Sequence, residues 1–171
     1  MRSTAELEST FRSWSVAPEA GRVVALVRRL GDGAHDMPDA VEISEDLGVV
    51  GDRWSTGKRD LRAQVSLMEA RVAALVADDT DVAGVGDNLL VDLDLSVGHL
   101  PAGTRLRVGQ AVLEVTDKPH LGCKKFTRRF GVDAMSWVND PGHRDRRLRG
   151  LLTRVVSGGL VRVGDPIRVV P

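Results

Sequence analysis

The chain has 171 residues, 42% of them hydrophobic and 28% charged, which is the composition of a soluble globular domain. Its 24 basic and 24 acidic residues balance, which argues against a general nucleic-acid coat, and its single cysteine excludes an intramolecular disulfide framework. No apolar segment follows Met1, so the sequence predicts neither a signal peptide nor a membrane span, and we expect a cytoplasmic protein.

Residues 1–20 are predicted to form a helical extension, because Leu7, Phe11 and Trp14 recur on one face of a helix. That apolar face should pack across the rest of the protein. Residues 21–171 are predicted to form one β-rich domain, since valine-rich runs alternate there with glycine-containing turns.

The middle of the chain is predicted to contain a helix and then a strand. Ser66 followed by Glu69 has the spacing of a capping box, so the helix is predicted from Leu67 to about Ala77. The stretch from Asp78 to Asp94 has six aspartates and no basic residue, which is typical of a solvated loop. Alternation from Leu89 predicts a strand at its end.

The C-terminal half has the clearest strand pattern. R-L-R-V, the turn G-Q and A-V-L-E-V-T predict a β-hairpin over residues 105–116. Further runs over residues 149–156 and 160–170 are separated by the turn S-G-G. Many short strands with glycine turns predict a mainly β fold, either a closed barrel or a sandwich.

The segment Lys118–Gly150 concentrates positive charge around the only cysteine, Cys123. Nine basic residues accompany only three aspartates there, a local formal charge of +6. Positive neighbours favour the thiolate, so Cys123 is a candidate nucleophile or metal ligand. The basic residues are Lys118, Lys124, Lys125, Arg128, Arg129, Arg144, Arg146, Arg147 and Arg149.

Residue types alone leave several interpretations of this segment open. Free cysteines are commonly buried and inert, and a run of charges usually covers a solvated face. A zinc site with His120 and His143 is weakened by the lack of a C-x-x-C pair. The remaining interpretation is an anion pocket, since arginine and lysine suit phosphate.

Several motifs, in order, resemble those of the MOSC family, the domain found at the C-terminus of molybdenum cofactor sulfurases and in stand-alone bacterial proteins. G-D-R at Gly51–Arg53 and R-A-Q-V-S-L-M-E at Arg62–Glu69 resemble its first motif. G-D-N-L at Gly86–Leu89 resembles the second. The third is L-R-V-G-Q-A-V-L-E-V-T-D-K-P followed by Cys123, and R-G-L-L-T-R-V-V-S-G-G-L-V-R-V-G-D-P-I resembles the closing motif.

The resemblance implies a closed β-barrel of the pyruvate-kinase type with a few decorating α-helices. It also implies a molybdenum cofactor, molybdopterin, for which Cys123 would be the metal ligand or a sulfur carrier. The residues that the resemblance assigns to cofactor contacts are Arg53, Arg62, Ser66, Asn88, Lys118, Lys124 and Arg149.

The reaction implied by the resemblance is sulfur transfer or reduction of an N-hydroxylated small molecule. Its partner would be a cysteine desulfurase or an external electron donor, because one cysteine cannot hold an iron–sulfur cluster. The alternative is a non-enzymatic barrel whose basic surface binds nucleic acid or an acidic protein. Aromatic residues are only 4%, which disfavours nucleic-acid stacking.

Overall fold

The computed structural model describes every residue from Met1 to Pro171. The strands are β1 (Gly21–Leu26), β2 (Arg28–Gly31), β3 (Ala34–Asp36), β4 (Ala40–Ser44), β5 (Gly48–Val49), β6 (Val65–Glu69), β7 (Leu89–Asp92), β8 (Arg105–Val108), β9 (Ala111–Val115), β10 (Leu151–Ser157), β11 (Gly159–Arg162) and β12 (Pro166–Val170). The α-helices are α1 (Thr4–Arg12), α2 (Ala70–Val76) and α3 (Lys124–Val138), and short 3-10 helices lie at Arg53–Thr56, Leu61–Ala63, Val82–Val85 and Pro141–Arg146.

Seven strands close into a barrel in the order β1, β12, β8, β9, β10, β6, β7, and β7 pairs back onto β1. Every barrel pair is antiparallel except β6 with β7. Two small sheets, β11–β4–β5 and β2–β3, extend from it. The predicted mainly β fold, a closed barrel with a few helices, is therefore confirmed.

Alternation along the strands fills the barrel interior. In β8 Leu106 and Val108 are buried while Arg105 and Arg107 are exposed, so the strand has one core face and one solvated face. The interior cluster comprises 21 buried residues, all of them alanine, valine, leucine or isoleucine. An aliphatic core of this kind agrees with the absence of tyrosine from the chain.

A second core of 15 buried residues lies between the three α-helices and the outer face of β6 and β7. Met68 and Leu90 point to it, whereas Leu67 and Leu89 on the same strands point into the barrel. Leu7 of α1 is buried there. The apolar face predicted for the N-terminal helix therefore packs on the domain, while the boundary at residue 20 stays a prediction.

The predicted capping box at Ser66 is wrong. Val65–Glu69 forms a strand that is buried on both faces, and the helix begins only at Ala70 with no side-chain cap. A strand buried on both faces lacks the regular alternation of apolar and polar residues, so periodicity does not distinguish it from a short helix.

A crossover connects the parallel strands β6 and β7, as a parallel pair requires. It runs through α2 and the 3-10 helix Val82–Val85, and residues 86–88 then lead directly into β7. The basic start of α3 lies against the same 3-10 helix, because Arg129 donates to the Gly84 carbonyl at 3.2 Å. No helix has the length and apolar character needed to cross a membrane.

Candidate functional site

A cleft of about 200 Å³ opens between the β2–β3 hairpin, the turn around Gly84 and the start of α3. We call it the cationic cleft, because five cations and no carboxylate line it. Its lining residues are Arg29, Gly31, Gly33, Ala34, His35, Arg53, Gly84, Val85, Gly86, His120, Leu121, Cys123, Lys125, Phe126, Arg129 and Arg149. The three motif regions therefore meet here, through Arg53, Gly86 and Cys123.

Cys123 is exposed and occupies the cap position before α3. Partial burial raises the pKa of its thiol, but the backbone N–H groups of Phe126 and Lys125 and the charge of Arg149 outweigh that effect. The net result is a pKa below the ordinary thiol value. Because the sulfur makes no cap hydrogen bond of normal geometry, these groups act mainly through their charge and dipoles.

Arg149 and Asp87 form a buried ion pair beneath the cleft. Arg149 Nη1 donates to Asp87 Oδ2, and its Nη2 donates to the Val85 carbonyl at 3.0 Å. The Arg149 side chain is 8% exposed and its Nε has no partner. A buried N–H left unpaired is costly, so this arginine has capacity for a ligand atom or a water.

His120 lies beside this ion pair, with its Nδ1 3.4 Å from Asp87 Oδ1. Burial, followed by the charge of Arg149, lowers the pKa of His120 to about 4 against the opposing charge of Asp87. Its imidazole is therefore neutral near pH 7.

His35 approaches the cleft from the β2–β3 hairpin, where Arg129 holds it. Arg129 Nη1 lies 3.2 Å from His35 Nδ1, and Arg129 Nη2 donates to the Gly33 carbonyl at 2.6 Å. Burial, and then the charge of Arg129, lower the pKa of His35. Arg129 thus connects α3 to the hairpin that forms the opposite wall.

Asp52 anchors the remaining wall through a buried polar network. Arg29 Nη2 donates to Asp52 Oδ2 at 2.7 Å, and Asn88 Nδ2 donates to Asp52 Oδ1 at 3.1 Å. Asn88 Oδ1 in turn accepts from the Ser66 N–H at 3.2 Å. Burial raises the pKa of Asp52, but the bonds from Arg29 hold it below its usual value.

Two of the cleft cations have no carboxylate partner. Asp52, Asp81 and Asp87 pair with three of the five, whereas Arg53 and Lys125 make no salt bridge. Five cations against three carboxylates leave a local charge of +2. The cleft therefore attracts an anion that Arg53 and Lys125 can bind without breaking an existing ion pair.

Of the sequence-predicted contact residues, Arg53 and Arg149 line the cleft and five others do not. Ser66 and Asn88 are buried and bonded to each other. Lys118 Nζ pairs with Asp60 at 2.6 Å, and Arg62 lies between Asp60 and Asp117 at 3.8 and 3.7 Å. Lys124 is exposed and does not line the cleft.

The two histidines of the zinc interpretation lie in different places. His143 Nε2 is 2.8 Å from Glu8 Oε2, and Glu8 also accepts from Trp137 Nε1 at 2.9 Å. His120 is in the cleft. No three His, Cys, Asp or Glu side chains cluster as metal ligands, so the geometry gives zinc no support.

Sequence reasoning missed Arg29, His35 and Asp87, and it named Lys125 and Arg129 only as members of the basic segment. His35 and Arg29 flank a glycine turn, and only the folded hairpin places them opposite Cys123. Lys125 lies in the basic segment, but only the orientation of α3 shows that Lys125 lines the cleft and that its neighbour Lys124 does not.

A family model described as MOSC domain matches residues 58–168. No curated protein matches the sequence. The crystal structure of the YUAD protein from Bacillus subtilis superposes with a TM-score of 0.59 at 18% identity, over 86% of this chain and 94% of that one. YiiM from Escherichia coli superposes with a TM-score of 0.60 at 19% identity, over 88% of this chain and 70% of that one. YiiM from Geobacillus stearothermophilus superposes with a TM-score of 0.60 at 14% identity, over 88% of this chain and 75% of that one. At such identities the likeness establishes the fold.

Proposed function

Because the chain belongs to the MOSC domain family, we propose that it binds a molybdenum–pterin cofactor in the cationic cleft, with Cys123 as the metal-binding thiolate. One observation carries the proposal: the only cysteine, exposed and with a lowered pKa, lies at a cleft with two cations in excess.

The residues present fit such a group. A thiolate is a preferred ligand for soft transition-metal centres. The phosphate of the cofactor needs positive partners, and Arg53 and Lys125 are available for it. Arg149 Nε is a further N–H donor without a partner. The cleft of about 200 Å³ is smaller than the roughly 300 Å³ at which small-molecule pockets usually begin. A complete pterin would therefore extend beyond its mouth.

When bound, the cofactor would supply the centre that exchanges electrons or accepts sulfur. The chain's own residues would hold it, offset its negative charge and keep Cys123 ionised. The substrate class is an N-hydroxylated small molecule to be reduced, or sulfur to be transferred. Electrons would come from an external donor, or sulfur from a cysteine desulfurase, since one cysteine cannot hold an iron–sulfur cluster.

Elemental analysis of protein expressed in a host that makes the pterin cofactor tests the proposal. Cys123→Ser should lose most of its molybdenum, because the hydroxyl is a far weaker ligand than a thiolate. Lys125→Ala should lose several-fold, because an unpaired cation of the cleft is removed. Its neighbour Lys124 lies outside the cleft, so Lys124→Ala is the matched control and should load as wild type does.

Two outcomes contradict the proposal in different ways. Equal molybdenum in wild type and Cys123→Ser would exclude ligation by the thiol. Negligible molybdenum in every variant would exclude cofactor binding, and a persulfide detected by intact-protein mass would then favour sulfur carriage alone.

A further inference from the structure

Two histidines line the cationic cleft, and each has one ring nitrogen whose role is fixed by a neighbour. Neutral imidazole has one donor nitrogen and one acceptor nitrogen, and the bond made by one nitrogen decides the role of the other. The neighbours of His120 and His35 are of opposite kinds, so the two side chains present opposite groups to the cleft.

The neighbour of His120 is a carboxylate. His120 Nδ1 and Asp87 Oδ1 are both buried and lie 3.4 Å apart, and neither makes a hydrogen bond of normal geometry with any group. Asp87 is wholly buried and its other oxygen accepts from Arg149, so Oδ1 is the acceptor atom that faces Nδ1. Nδ1 therefore carries the hydrogen, and Nε2, which has no protein partner, presents a lone pair to the cleft.

The neighbour of His35 is an arginine, which has donors only. Since Arg129 Nη1 lies 3.2 Å from His35 Nδ1, that nitrogen must be the acceptor. The hydrogen of His35 is therefore on Nε2, which likewise has no protein partner. His35 adds a donor to the cations of the cleft, and His120 adds a neutral side-chain acceptor.

We propose that the cleft selects an anion that carries its own O–H or N–H donor, which His120 Nε2 accepts while His35, Arg53 and Lys125 donate to the anionic oxygens. This deepens the proposed function, on which it rests for the identity of the site, by naming the chemistry of the ligand. Asp87 acts as a positioning residue, because it fixes the tautomer of His120. A fully deprotonated oxyanion would place an oxygen lone pair against that of Nε2, and binding should weaken.

Hydrogen phosphate and sulfate test the proposal, because both are tetrahedral dianions near pH 7.5 but only phosphate keeps a proton. Titration calorimetry on the cofactor-free protein should show phosphate binding about tenfold more tightly than sulfate, the size expected when one buried hydrogen bond is replaced by an unpaired acceptor. Methyl phosphate is mostly fully deprotonated at this pH, so its affinity should be close to that of sulfate.

His120→Phe keeps a planar ring but removes the acceptor, so the phosphate-to-sulfate ratio should fall close to one. His99→Phe is the same change at a histidine outside the cleft, and it should keep the wild-type ratio. Nitrogen-15 NMR of wild-type protein should find the hydrogen of His120 on Nδ1 and that of His35 on Nε2, which needs no variant to fold.

Equal affinities for phosphate and sulfate, no binding of either, or a hydrogen on Nε2 of His120 would each overturn the inference. Molybdenum content does not enter these measurements. If these measurements fail but molybdenum binds through Cys123, only the role of His120 is excluded. If phosphate is preferred as expected but no molybdenum binds, only the cofactor proposal is excluded.

Discussion

At Cys123 two effects oppose each other, and the outcome decides whether the thiol reacts. Burial favours the neutral thiol, while backbone N–H groups and the charges of Arg149 and Lys125 favour the thiolate and prevail. The lowered pKa therefore depends on charges that can be removed one at a time.

Lys125→Ala should raise the pKa of Cys123, because a nearby positive charge that stabilises the thiolate is lost. The measurement is the rate of iodoacetamide alkylation of cofactor-free protein between pH 6 and 10. The midpoint for wild type should lie below the ordinary thiol value of about 8.5. Lys124→Ala should move it less, and an equal shift in both variants would mean that only general surface charge matters.

Asn88 has a structural role in the cofactor-free protein. It is 1% exposed and connects Ser66 to Asp52, which is the partner of the cleft residue Arg29. Asn88→Ala should lower the free energy of unfolding by about 3 kcal/mol, since buried donors and acceptors lose their partners. Urea denaturation measures this, with Ser9→Ala at an exposed position as control. A change below about 0.5 kcal/mol would fit a side chain retained for ligand contact alone.

At the scale of elements, α3 serves both the site and the second core because it bends at Gly131. Residues before the bend place Lys125 and Phe126 at the cleft, and residues after it bury Trp137. Gly131 has φ 86° and ψ 173°, a conformation almost confined to glycine.

Gly131→Ala should destabilise the protein by about 1–3 kcal/mol, although the same change within a regular helix usually stabilises it. Thermal unfolding is the measurement. Gly98→Ala is the control, because Gly98 has open space around it and an ordinary φ. If both variants unfold at the wild-type temperature, the bend is not required by the fold.

The helix α1 is held to the domain by Glu8. Hydrogen bonds from Arg12 first, and then from Trp137 and His143, lower the pKa of Glu8 from 4.5 to about 2. A carboxylate whose pKa is lowered by folding stabilises the protein above its unfolded pKa. That contribution is lost as the pH falls through the folded value.

Glu8→Gln should therefore be less stable than wild type at pH 7, and the difference should shrink as the pH falls from about 4.5 to about 2. Urea midpoints at pH 7 and pH 3 measure it. A difference that does not change with pH would mean that packing of α1, rather than the Glu8 charge, is responsible.

The elements themselves were predictable wherever local chemistry decides them. The hairpin β8–β9 follows from alternation and a Gly-Gln turn, and all its main features are present. Val65–Glu69 was not predictable, because only the barrel on one side and α2 on the other explain why a strand that contains Ser66 is buried on both faces.

At the scale of the whole molecule, barrel closure and the crossover from β6 to β7 bring distant segments together. Arg53, Gly86 and Cys123 meet at one cleft although they are far apart in the chain. Sequence motifs indicated that these three regions belong to one site. They did not indicate the hairpin with His35, which lies outside every motif. Nor did they indicate the ion pair of Asp87 with Arg149, because its two members belong to different motifs and only the fold brings them together.

Protection of Cys123 in cofactor-loaded protein tests the central claim most directly. A preparation of known molybdenum content is treated with iodoacetamide, and intact-protein mass gives the alkylated fraction. If Cys123 binds the metal in the cationic cleft, the fraction that escapes alkylation should equal the molar occupancy of molybdenum. Complete alkylation without loss of molybdenum would contradict the claim, because the metal would then be bound elsewhere.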